Sequence, residues 1–254
     1  MAASLLWLSG IALESLILWR AWRCGISRRY PLFCTYLTIV LVSSASLWPV
    51  YHYYYYSLYS SYFWVKEFLG LLAGFAVLFE IVQRSFEEYP GARRIATGVV
   101  VAMFVILCGY FVYQVATDPL PNASENFADL KRDFRAMQAL ALGGVVALIL
   151  YFRIDVGRNL RGIIAGLGLY VGSTILSDTL RGYAGPSFDA AWEVIQPYTY
   201  LIALLIWTLT LWSYAPAPLP DPPAENRSDY EALARGTKEA LETMRAAVKK
   251  AEQP

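Results

Sequence analysis

From residue 95 to residue 117 the chain carries no charged side chain, and branched aliphatic and aromatic residues dominate the stretch. A run that long and that apolar has few ways to fold. About 20 such residues in a helix, rising about 1.5 Å each, match the roughly 30 Å hydrocarbon thickness of a bilayer. In that layer the backbone must satisfy its own amides and carbonyls, and a helix does so within one segment. Six further segments approach the pattern: 5–19, 31–53, 63–83, 136–152, 162–181 and 193–214. Composition explains why they belong together. Hydrophobic residues make up 57% and charged residues 16% of the chain, against about 25% charged in ordinary globular domains. A water-soluble fold of this size could not cover so much apolar surface. The expected fold is all-α, a polytopic membrane bundle of seven transmembrane helices.

The few charges are not scattered. Arg20, Arg23, Arg28 and Arg29 follow the first segment, whereas no lysine or arginine follows the second until Lys66. Arg84, Arg93 and Arg94 follow the third; a longer loop of mixed charge, 118–135, follows the fourth. Arg153, Arg158 and Arg161 follow the fifth, and Arg181 stands almost alone after the sixth. Basic and poor connections alternate as seven crossings require, which predicts an outer amino terminus and a cytoplasmic carboxyl end. The first segment has its arginines after the apolar run, the reverse of a cleavable signal peptide. Tyr51, Tyr53 to Tyr56, Tyr59, Tyr62 and Trp64 fit interfacial anchoring, with a ligand-stacking surface as the alternative.

Beyond the seventh segment the character changes, giving three regions. Residues 1–214 form the transmembrane domain, 215–227 a proline-rich linker, and 228–254 a short cytoplasmic amphipathic helix. Ser228 and Glu231 have capping-box spacing. Tyr230, Ala234, Thr237, Leu241, Met244 and Val248 recur at heptad-like steps. Residues 228–252 are therefore a surface for a protein partner, or else a solvated helix lying on the membrane.

Ionisable groups inside spans are costly unless paired or hydrated, so they are the first candidates for function. An outer layer holds Lys66, Glu67, Asp178 and Arg181. Asp178 and Arg181 stand three apart on one helix face, and Glu67 is placed to join them. As a site these four would bind a small polar ligand; as scaffold they would pin helix register. Glu14 and Glu80 lie deeper, as members of a proton or cation relay or as partners of the arginines below them. Gly70 with Gly74, and Gly162, Gly166, Gly168 and Gly172, predict close helix packing. Pro197 predicts a bend in the seventh segment.

Other chemistry is excluded by what the chain lacks. His52 is the single histidine, too few for a zinc or bis-imidazole haem site. Cys24, Cys34 and Cys108 have no metal-ligand or disulfide spacing. No nucleophile–base pair or phosphate loop occurs, and a net charge of +1 gives no bias toward nucleic acid. No enzyme, cofactor or metal is expected.

The motifs Arg28-Arg29-Tyr30-Pro31-Leu32-Phe33, Trp64-Val65-Lys66-Glu67-Phe68-Leu69 and Arg158-Asn159-Leu160-Arg161-Gly162 resemble a family of uncharacterised bacterial seven-helix integral membrane proteins. The resemblance implies the fold and a bacterial inner membrane, with lipid as the constant partner, and implies no activity. The functional expectation is a receptor-like or accessory membrane protein with an outward-facing site. A small-solute or proton-coupled transporter and a purely structural subunit are the alternatives. The oligomeric state is not encoded in any feature of the sequence.

Overall fold

The computed structural model describes residues 2–53, 56–117, 123–184, 186–214 and 238. Met1–Ala217 form one compact unit and Pro218–Pro254 another. The linker expected at 215–227 and the amphipathic helix expected at 228–254 lie outside the described residues, apart from helical Lys238.

Every regular element among the described residues is a helix. In chain order these are α1 (Ala2–Arg23), α2 (Ile26–Arg29), α3 (Pro31–Tyr53), α4 (Tyr56–Ser85), α5 (Pro90–Thr117), α6 (Ala123–Tyr151), α7 (Arg158–Ala184) and α8 (Pro186–Thr210). Leu5–Arg23, Pro90–Tyr110, Lys131–Tyr151 and Arg158–Ser177 are long and apolar enough to cross a membrane. Pro31–Ser46 and Val194–Thr210 are shorter apolar stretches. The apolar helices point to a membrane protein.

Local sequence sets the helix ends. Proline opens α3, α5 and α8. Its missing N–H costs nothing at a first helical position, and its φ is already helical. Gly25, at φ 72°, takes the left-handed conformation that separates α1 from α2. After α6 the same conformation falls to Arg153, at φ 51°. There Ile154 N–H donates to Ile149 O at 2.9 Å and Arg153 N–H to Leu150 O at 3.3 Å. That pair of bonds is a Schellman close, with arginine in the place that glycine usually takes.

Several helices start earlier than hydropathy predicts, among them α4 at Tyr56, not 63, α8 at Pro186, not 193, and α6 at Ala123, not 136. The end of the mixed-charge stretch continues the inward face of the apolar segment that follows it. Phe134, Arg135, Gln138, Ala141, Leu142 and Val145 all face inward at steps of three and four, while Arg132 is exposed.

Within the first unit α4 packs against α3, α5, α6 and α7, and α1 packs against α3 and α8. The tightest join is α7 on α8. Trp207, fully buried, donates its indole N–H to Ile163 O at 3.3 Å. Its ring meets Phe33 edge-on at 5.2 Å and Tyr36 at 6.4 Å, so one side chain ties α3, α7 and α8 together. The indole lies so close over Gly166 that a Cβ there would overlap it, and Thr210 lies likewise over Gly162. Gly74 accommodates the amide of Gln138, 2.6 Å from where a Cβ would stand. The glycine spacing thus marks real close approaches at Gly74, Gly162 and Gly166. At Gly70 and Gly172 no atom comes within 4 Å of that position, so these two serve no such approach.

Side-chain contacts gather the basic connections at one end of the bundle. Arg29, after α1, bridges Glu87, after α4. Arg20 Nε donates to Trp212 O at 3.1 Å and stacks on the Trp212 ring at 4.5 Å, joining the ends of α1 and α8. Arg158, opening α7, donates to Ser213 Oγ at 2.7 Å. Around the outside, Ile95, Val99, Val105, Ile106, Val112 and Tyr113 leave α5 apolar and exposed. A surface of that kind calls for lipid or a partner, not water.

Candidate functional site

Glu80 sits on α4, 5% exposed, and forms no ion pair among the described residues. Its carboxylate accepts N–H groups from Leu32 at 3.2 Å and Phe33 at 2.8 Å. These are among the first amides of α3, which no carbonyl within the helix can satisfy. Proline at position 31 has no N–H to offer, so the carboxylate from α4 closes the start of α3, where a negative charge also meets the positive end of the helix dipole. Arg84 lies 3.9 Å from Glu87 instead.

Glu67 is placed by α4 beside α6. Lys131 Nζ lies 3.2 Å from one carboxylate oxygen and Lys66 Nζ lies 3.8 Å from the other. Lys131 belongs to the stretch read from sequence as a loop, so this partner was not foreseen. The side chains of Asp178 and Arg181 lie outside those described, and the expected Glu67–Asp178–Arg181 cluster with them.

One turn further along α6, Arg135 is 4% exposed. It donates to Gln138 Oε1 at 3.3 Å and to the Tyr170 hydroxyl at 3.4 Å, with its guanidinium 5.0 Å from the Tyr170 ring centre. Gln138 in turn donates to Leu71 O on α4 at 2.9 Å. Tyr170 on α7 meets Tyr200 on α8 edge-on at 5.5 Å. The Tyr200 hydroxyl donates to Glu14 Oε1 on α1. A band of polar groups therefore crosses the bundle from α1 through α8, α7 and α6 to α4. Its two tyrosines are uncharged at neutral pH and so leave no mark in the charge pattern of the sequence.

At the α1 end of this band is a cavity of about 460 Å³ between α1, α3 and α8. Its wall is mostly apolar, with Leu6, Trp7, Ile11, Val194 and Leu201 beside Pro197, which lies inside α8. Proline has no N–H for the carbonyl four residues earlier, and its ring stands in the cavity wall. Glu14 and Ser44 supply polar groups. Glu14 is 1% exposed; Tyr200 occupies Oε1, while Oε2 has no hydrogen-bond partner among the described residues. The expected pairing of Glu14 with the arginines below it is not made: Arg20 goes to Trp212. Glu14 stands about 18 Å along the helix from its start at Ala2, close to the middle of α1. Chemically, a mostly apolar cavity stands beside one buried acceptor that has no donor among the described residues, the pattern of a small-molecule site.

No protein-family model, no curated protein and no solved structure matches the chain.

Proposed function

We propose that the chain is a receptor-like protein of the bacterial cytoplasmic membrane that recognises a small ligand in the cavity between α1, α3 and α8. In this reading it crosses the bilayer seven times, through α1 and α3 to α8, with the amino terminus outside. Two features support that topology: the basic connections meet at one end of the bundle, and basic connections prefer the cytoplasm. The tail at 228–252 then lies in the cytoplasm, where it is suited to engage a protein partner.

The observation that carries the recognition reading is Glu14. A buried carboxylate oxygen without a donor is costly, by about 1–3 kcal/mol for the unsatisfied group and more when charged. Such a group beside a cavity of about 460 Å³ is best accounted for by a ligand that completes it. Ile11→Trp would fill the cavity from α1. Native mass spectrometry of protein released from nanodiscs should show a small-molecule adduct on the wild type that this variant loses. Equal spectra from both proteins, with equal thermal midpoints on adding a membrane extract, would defeat the reading.

The polar band favours a second reading, a proton-coupled transporter in which Glu14 loads and Tyr200, Tyr170 and Arg135 couple it to Glu67. Glu80, already committed to the amides of α3, has no part in it. Glu14→Gln would then abolish pH-driven solute uptake into proteoliposomes; undiminished uptake by this variant would dispose of this reading.

A further inference from the structure

We infer that the ligand of the α1–α3–α8 cavity is an amphiphilic amine, its ammonium on Glu14 and its alkyl body against Leu6, Trp7, Ile11 and Leu201. This rests on the recognition reading above and names the chemistry that the site selects. Glu14 Oε2 can only accept from its ligand while the carboxyl is ionised, so the head group must carry a donor. An anionic head would face like charge in a low-dielectric site and is rejected. A neutral hydroxyl satisfies the lone pair but leaves the buried charge uncompensated. An ammonium does both, and it makes the stronger, charge-assisted bond.

Among the described residues no cation forms an ion pair with Glu14. Arg20 is held by Trp212, and Lys66 and Lys131 by Glu67. Trp7 and Tyr198 add aromatic rings to the residues lining the cavity. Beyond the head, the wall is hydrocarbon and aromatic, which sets the rest of the ligand. A volume of about 460 Å³ lies in the range of cavities that enclose small organic ligands. Ser44, on α3, adds a hydroxyl side chain to the residues lining the cavity.

The test uses the full chain in nanodiscs and three probes of equal length: decylamine, 1-decanol and decanoate. Binding of tritiated decylamine is measured as the saturable part that excess unlabelled probe displaces. Wild-type protein should bind one decylamine per chain and prefer it over decanol by about tenfold or more, the scale of one charge-assisted hydrogen bond. Glu14→Gln should erase that preference while keeping the thermal midpoint, because its amide oxygen still accepts from Tyr200. Ile11→Trp should remove saturable binding of every probe.

Equal affinity for decylamine and decanol, lost in Ile11→Trp, would overturn the amine assignment and leave the cavity reading standing. Saturable binding unchanged in both variants would overturn the two together. Absence of saturable binding by any probe, with bound water as the only partner of Glu14, would do the same.

Discussion

Removing the carboxylate of Glu80 should unfasten the start of α3. Two backbone amides depend on it, those of Leu32 and Phe33, at 3.2 and 2.8 Å. Hydrogen bonds to a charged acceptor contribute about 1.5–3 kcal/mol each, and a buried N–H left without a partner costs about 1–3 kcal/mol. Glu80→Leu abandons both amides, so the expected loss is about 2–6 kcal/mol. Glu80→Gln keeps one acceptor oxygen but turns an NH₂ group toward the other amide, so roughly half that loss remains. Unfolding in dodecylmaltoside–dodecylsulfate micelles would rank the three proteins as wild type, Gln, Leu. Hydrogen exchange at the first turn of α3 should quicken in the same order, with exchange in α5 unchanged. A Glu80→Leu protein as stable as wild type, with unaltered protection at residues 32 and 33, would refute the capping role and return this acid to the list of relay candidates.

Three more substitutions probe the bundle. Gly166→Ala should destabilise it by about 1–3 kcal/mol, the usual cost of overfilling a tight contact, because the new methyl meets the Trp207 indole; Trp207→Phe in the same chain should recover part of the loss in the micelle assay. Arg153→Gly should raise the unfolding midpoint, by about 1 kcal/mol, since glycine adopts φ 51° without the penalty that a Cβ incurs. Lys131→Met removes the nearer of the two lysines from Glu67; a double-mutant cycle between Lys131 and Glu67 should give a coupling of about 0.5–1 kcal/mol that falls with salt, and no coupling at low salt would show the 3.2 Å pair to be inert.

Much of the helical layout is legible in the sequence, because hydropathy reports the one quantity the bilayer imposes, apolar thickness. Segment 31–53 coincides with α3, and α5 contains the charge-free run at 95–117. What hydropathy does not measure is how far a helix continues into polar surroundings. That is why α6 begins at Ala123, bringing Lys131 and Arg135 onto the same rigid element as the apolar stretch. The signal was present in Phe134 and Arg135, which continue the spacing of Gln138, Ala141 and Val145 backward, yet the charges between Asp118 and Arg135 read as a loop.

The candidate site was half visible. Glu14 and Glu80 stand out as acids in apolar runs, but identical residue types carry different jobs: one caps a helix, the other faces a cavity. Nothing local distinguishes them, since each job is assigned by a residue far along the chain, Phe33 for Glu80 and Tyr200 for Glu14.

That last pairing joins α1 to α8, 186 residues apart. On the ribosome, Glu14 therefore enters the translocon long before its tyrosine exists. Throughout synthesis the nascent α1 holds an acid with no native donor, and α3 waits equally long for the Trp207 wedge. A chain stalled anywhere before α8 would leave both partners unmade.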